Sequence, residues 1–323
     1  MDKLSKYLFV NFFKSFTTLF GIITSIVSLI FIISISNVTA DIQISFTDLL
    51  KLYFLKFPQV VFIALSISFI IASTNTLAKI SETQELIALL SLGISPKKIL
   101  KPFFFSALLI TFINLIILFI SIPYSKSAYQ NLKNQKKQEA KFNLQSKQIS
   151  QQFGEWYIFA TQHSQRNFKN IYLFNKKNNN FILASSANLN NKNGFIKFTV
   201  TNGKLYDFEK NYKVTFESMK INKKIPKTTL SLFNIKDYFS KNKKIFTKYF
   251  PIALIPISLF LFIPIFAFFH PRLHKDRHLL YSLFLISIYI ALAFANKNII
   301  ISTIIPVIFF ILGGIIYKWK RKF

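Results

Sequence analysis

Six stretches of about 20 mostly apolar residues, each long enough to cross the hydrocarbon of a bilayer, dominate this 323-residue chain. They are Phe16–Ser36, Phe57–Ala78, Pro102–Tyr124, Tyr249–His270, Leu279–Asn296 and Asn298–Tyr317. None contains an Asp or Glu, as the cost of a charge in hydrocarbon requires. Composition agrees: 52% of residues are hydrophobic and 16% charged, against about 25% charged in soluble domains. There is no cysteine, which excludes disulfide frameworks, thiolate metal sites and thiol nucleophiles. The net charge of +29 would suit a nucleic-acid binder, but six apolar runs exclude a soluble one.

Short loops set the orientation, because basic residues stay cytoplasmic. Lys3 and Lys6, the loop with Lys79, Lys97, Lys98 and Lys101, the loop with Arg272, Lys275 and Arg277, and the tail Lys318–Lys322 all fall on one side. Both termini are therefore expected in the cytoplasm. Val38-Thr39-Ala40 resembles a signal-peptide cleavage site, but the run before it exceeds a usual signal core, so a retained first span is expected.

Between runs three and four lies an insert, residues 125–245, expected on the opposite, exported side. It holds 23 basic and six acidic residues, a surplus of 17. Residues 125–151 read as a helix leaving the membrane. Six short aromatic and β-branched runs follow: Trp156–Ala160, Asn170–Asn175, Phe181–Ala184, Phe195–Val200, Lys204–Phe208 and Lys213–Ser218. Turn residues separate them, at Asn191–Gly194 and Asn202-Gly203 among others. This spacing suggests a sandwich or jelly roll. The expected fold is membrane α-helical with six transmembrane helices in a 3+3 plan, residues 1–124 and 246–323, around an all-β jelly-roll-like domain, 125–245.

The segment from Ser81 to Pro102 carries the sharpest local signal. Ser81 and Gln84 have capping-box spacing, and Leu86, Leu89 and Leu90 recur at helical spacing. Gly93 is placed to stop the helix, and Ser95-Pro96 to start another. A short amphipathic helix over 82–92 follows, with Glu82 and Glu85 on its polar edge. A helix lying on anionic lipid favours Lys and Arg there. Glu favours docking into a partner's groove instead.

Glu85-Leu86-Ile87-Ala88-Leu89-Leu90-Ser91-Leu92-Gly93-Ile94-Ser95 resembles the coupling loop of the lipopolysaccharide-export permeases, the LptF/LptG family. Pro58 near the start of the second run, Pro123 ending the third, and His270-Pro271-Arg272 ending the fourth are similar to that family's features, as is the six-span plan. The Pro-Arg pair and the absence of a basic residue over 33–40 lean toward the LptF-like sister. The run after Arg272 departs from the family's Gly-Arg.

The resemblance implies an inner-membrane ABC transporter permease, non-catalytic itself. It would pair with a sister permease on a cytoplasmic ATPase dimer that carries the ATP and magnesium, with no cofactor on this chain. The coupling residues would be Glu82, Glu85, Leu86, Leu89, Leu90, Gly93 and Ser95, with Glu85 facing the partner. Lipopolysaccharide would leave the outer leaflet of the inner membrane and pass to a periplasmic jelly-roll bridge, supporting outer-membrane biogenesis. Another ATPase-coupled permease or mechanotransmitter, of the lipoprotein-release kind, is the alternative; it has fewer spans and a domain after the first.

Lys51, Lys56, Lys126 and Lys297 should sit near the exported membrane surface, where they would meet lipid phosphates or act as ordinary snorkelling lysines. Trp156, Phe159, Phe174, Phe181, Leu183, Phe195 and Phe198 would line an acyl-chain slot or fill a sandwich core. His270, His274 and His278 are four apart, but Pro271 interrupts them and no carboxylate joins, so no metal is expected. Gly203-Lys204 lacks a phosphate-loop frame, and His163-Ser164 lacks an orienting acid.

Overall fold

In the computed structural model the described residues are 3–39, 45–140, 151–153, 156–164, 167–175, 179–192, 195–224, 235–269 and 277–320. Two compact units emerge. The first contains residues 1–38, 50–127 and 230–323, and the second contains 39–49 and 128–229.

The first unit is helical. The helices are α1 (Lys3–Thr39), α2 (Phe46–Glu82), α3 (Glu85–Ser91), α4 (Pro96–Ile116), α5 (Ile122–Ala140), α6 (Ile235–Ala253), α7 (Ile255–Ser258), α8 (Phe262–Ala267), α9 (His278–Ala295) and α10 (Ile299–Lys320), with residues 46–49 of α2 and 128–140 of α5 in the second unit. Five helices among the described residues are long and apolar enough to cross a membrane: α1, α2, α4 continued into α5, α9 and α10. Pro123 does not end the third of them. A π-helical turn, Ile117–Ser121, hands α4 directly to α5, with Pro123 at the second position of α5.

The fourth apolar run is not one continuous helix. It is broken into the end of α6, then α7 and α8. The cause is Pro251, Pro256 and Pro264, each lacking the N–H that a helix interior needs. Proline also frees the carbonyl four residues earlier, and burial makes such a group costly unless a neighbour bonds it. Pro251 frees Thr247, whose carbonyl accepts from Ser302 Oγ of α10 at 2.6 Å. Pro256 frees Ile252, whose carbonyl accepts from Ser66 Oγ of α2 at 3.0 Å. Two more bonds tie the same segment: Tyr289 Oη to the Pro251 carbonyl at 2.8 Å, and Ser81 Oγ to the Ala267 carbonyl at 2.7 Å. The broken segment is thus held by hydroxyls from α2, α9 and α10. Asn114 of α4 joins through Nδ2 to Ser66 Oγ at 3.0 Å.

The second unit carries one antiparallel sheet of six strands: β1 (Gln151–Phe153), β2 (Trp156–Ser164), β3 (Asn167–Asn175), β4 (Asn180–Lys192), β5 (Phe195–Asp207) and β6 (Tyr212–Lys224). Each pairs only with its chain neighbours, in the order β1-β2-β3-β4-β5-β6. The described strands therefore form a meander, without the crossover that defines a sandwich or jelly roll.

Asn202-Gly203 is not a turn; it lies inside β5, so two expected short strands are one. Asn202 has φ 49°, and Asn170, in β3, has φ 48°. Pairing skips Asn170, Ser185, Asn202 and Glu217 while the register on either side is unchanged. Crossing this line shifts the side-chain alternation by one residue. Ala184 and Ala187, and Leu205 and Val200, consequently reach the same core with Ile171, Leu173 and Ile182. Gly203 is required by close approach: a Cβ there would lie 2.5 Å from Phe216 Cζ and 2.6 Å from the Leu183 carbonyl oxygen.

Candidate functional site

The loop from α2 to α4 is built by backbone chemistry. The expected capping box does not form. Ser81 is still inside α2, buried, and donates to the carbonyls of Leu77 and Ala267. Gln84 takes the cap position instead, with φ 61° and no side-chain cap bond, so α3 starts at Glu85 rather than Glu82. Its C-terminal end follows the sequence reading. Gly93 has φ +79°, its N–H bonds the Leu90 carbonyl at 3.0 Å, and the Ile94 N–H bonds Leu89 at 3.1 Å. This pair of bonds satisfies carbonyls that the helix end would otherwise orphan. Ser95 then caps α4 in extended geometry with Pro96 at its first position.

The faces of α3 divide differently from the expectation. Leu86 is buried and Leu89 packs against the helical core. Ile87, Leu90 and Leu92 point outward, exposed at 41%, 42% and 77%. Glu82 is exposed. Glu85 turns back: Tyr7 Oη of α1 donates to its Oε2 at 3.0 Å and Thr83 Oγ1 to its Oε1 at 3.1 Å. Glu85 ties the loop to α1, and the outward edge of α3 is apolar.

The four lysine candidates all belong to the first unit, but their surroundings differ. Lys56 Nζ donates to Gln59 Oε1 at 3.2 Å and lies 5.8 Å from the Phe31 ring centroid. Gln59 in turn reaches Tyr249 Oη at 3.5 Å. Lys126 sits in electrostatic contact with Lys244 and Lys248 of α6. Sequence reading missed that pair, although its four-residue spacing puts both on one helix face. Lys51 and Lys297 are exposed.

The five acyl-slot candidates whose side chains are described separate onto two faces of the sheet. Trp156 packs against the sheet's core. Phe159 aligns with Tyr172, Leu183 and Lys204 across the strands, and Phe174 pairs with Phe181 beside Tyr206. Alternation puts these four candidates opposite the core residues Ile171, Leu173, Ile182 and Ala184. Phe195 and Phe198 occupy register positions opposite Lys192 and Leu189; their side chains lie outside the described residues. A shallow groove of about 520 Å³ crosses the sheet between Tyr172, Leu183 and Lys204, where the pairing is interrupted. His270 and His274 lie outside the described residues, and His278 begins α9, buried.

The sequence of the chain matches one known family. The model of the lipopolysaccharide export system permease LptF/LptG covers residues 6–319. The chain belongs to this family. Curated proteins searched with the sequence gave no match. LptF/LptG proteins are the permease of lipopolysaccharide export, so this LptF/LptG chain is a membrane component of that transport system. The match spans both units, including the sheet and the α3 loop.

Proposed function

We propose that the chain is one of two sister permeases in an ATP-driven lipopolysaccharide exporter of the inner membrane, and that α3 is the helix through which a cytoplasmic ATPase dimer moves it. In this reading the α6–α8 segment is the fourth of six spans and both termini are cytoplasmic. The sheet is periplasmic and hands glycolipid to a periplasmic jelly-roll bridge. ATP and magnesium belong to the ATPase. The LptF-like leaning rests only on the Pro271-Arg272 pair and the absence of a basic residue over 33–40.

The observation that carries the reading is the outward apolar edge of Ile87 and Leu90 on α3 and Leu92 just after it, on a loop fixed at both ends. Helix-in-groove docking uses such anchors at helical spacing. The Gly93 cap and the Tyr7–Glu85 bond give the loop a defined shape against α1 and α2. A rigid loop transmits displacement, whereas a floppy one absorbs it. The aromatic face with Phe159, Phe174, Phe181 and Leu183 supports an acyl-binding role for the sheet, since burying each methylene gains about 0.8 kcal/mol.

Affinity purification of the tagged chain from membranes tests the docking. Leu90→Glu should remove most of the co-purifying ATPase while the chain stays membrane-inserted at normal abundance. Undiminished ATPase recovery would sink the assignment of α3.

A further inference from the structure

A groove of about 1110 Å³ opens on the flank of the membrane unit beside the coupling loop. One wall is α4, which contributes Leu100, Phe104, Phe105 and Leu109, and Phe9 of α1 and Tyr317 of α10 also line the groove. Phe260, at the break between α7 and α8, closes the back, its ring centroid 5.4 Å from that of Phe104. Lys97, Lys98 and Lys101 line one end, all exposed.

The dimensions are those of one leaflet. Twelve residues separate Lys97 from Leu109, and a helix rises about 18 Å over that distance. Half of the bilayer's hydrocarbon is about 15 Å deep. The groove is therefore an apolar trough, one leaflet deep, with three cations at its headgroup end. Basic pockets between membrane helices recognise anionic head groups.

We propose that this groove binds an anionic phospholipid of the leaflet bordering the coupling loop. Its head group lies on Lys97, Lys98 and Lys101, and an acyl chain runs along Phe104, Phe105 and Leu109. The site is separate from the glycolipid route, which under the reading above begins in the opposite leaflet. Lysine suits the role, because its stem packs on the apolar wall while its ammonium stays at the surface.

The proposal is tested on the full chain in phosphatidylcholine vesicles doped with brominated phosphatidylglycerol or brominated phosphatidylcholine. Phe105→Trp, in a background with Trp156→Phe and Trp319→Phe, puts the only indole in the groove. Brominated phosphatidylglycerol is expected to quench it at a roughly hundred-fold lower mole fraction, the product of three lysines at about 1 kcal/mol each. Each of Lys97→Gln, Lys98→Gln and Lys101→Gln should lower that preference by about five-fold, the equivalent of ~1 kcal/mol per basic residue. Lys79→Gln, an exposed lysine outside the groove, should leave it unchanged.

Equal quenching by the two lipids would overturn the proposal. So would a preference that survives the triple substitution, or one that Lys79→Gln lowers equally, which marks general surface charge. No quenching by either lipid would mean that protein, such as a second copy of the chain, covers the groove. The readout does not depend on which leaflet faces the cytoplasm. A failed ATPase purification therefore leaves it standing, and its failure leaves the transport reading intact.

Discussion

Ser66 should be worth more than an ordinary buried serine, and only while Pro256 is present. Its Oγ donates to the Ile252 carbonyl that Pro256 leaves without a helical partner, and it accepts from Asn114 Nδ2. Ser66→Ala orphans both groups in the buried interior. An unsatisfied buried group costs about 1–3 kcal/mol, but side-chain bonds in membranes average about 0.6 and reach about 1.7 kcal/mol, because the unfolded state in the membrane also finds partners. The expected loss is about 1–3 kcal/mol. Pro256→Ala supplies the missing N–H to Ile252, so on that background Ser66→Ala should cost only the Asn114 share. The double-mutant cycle should give a coupling of about 1 kcal/mol between Ser66 and Pro256. The assay is reversible unfolding of the full chain in bicelles, on four proteins: parent, both single variants and the double. Additivity within about 0.3 kcal/mol, the margin expected of independent sites, would refute the claim that the serine serves the proline's orphan. Ser302→Ala with Pro251→Ala should behave in the same way, because Ser302 bonds Thr247.

Other outcomes follow from the same geometry. Gly93→Ala should cost about 1–2 kcal/mol in unfolding, because its φ of +79° is left-handed although a Cβ would meet open space; a larger effect would point to a lost contact instead. Gly203→Ala should destabilise the sheet by about 1–3 kcal/mol through overpacking against Phe216 and the Leu183 backbone, read as faster proteolysis within 151–224. Tyr7→Phe removes the donor to Glu85 and should loosen the α3 loop, read as faster amide exchange over 83–94 with little change elsewhere. At the β5–β6 turn, backbone N–H groups of Lys210 and then Glu209 hold the Asp207 carboxyl below its usual value. Its contribution to stability is therefore full above the unfolded carboxyl's pKa of about 4 and lost as pH falls through the lower folded value. Asp207→Asn keeps an acceptor oxygen and should flatten that part of the thermal-stability profile below about pH 4.

Much of the plan was legible in the sequence for local reasons. Long apolar runs mark membrane helices because transfer of each residue is nearly additive, so α1, α2, α4, α9 and α10 lie where hydropathy put them. Gly93 and Pro96 were legible because φ > 0 and a missing N–H are properties of single residues. The insert's strands were legible from aromatic and β-branched runs. The errors arose where a residue's neighbours come from elsewhere in the chain. Ser81 had the spacing of a cap, but its hydroxyl is taken by the Ala267 carbonyl far along the chain. Asn202-Gly203 had the composition of a turn, but pairing on both sides keeps it in a strand.

The sequence by itself determined a basic, cysteine-free membrane chain with a β-rich insert and a capped loop between its second and third apolar runs. Each of these follows from hydropathy, charge or backbone stereochemistry read over a few residues. Only the tertiary structure decided how those parts are used. It put Glu85 on Tyr7 and left Ile87, Leu90 and Leu92 outward, because α1 packs beside the loop. It broke the apolar run with three prolines into short helices clamped by Ser66, Tyr289 and Ser302. It also set Trp156 on the core face of the sheet and Phe159, Phe174 and Phe181 on the other, because the strand register fixes which side of the alternation meets the core. Such outcomes depend on which distant groups meet, and a buried hydroxyl or carbonyl has no settled role until its partner is known.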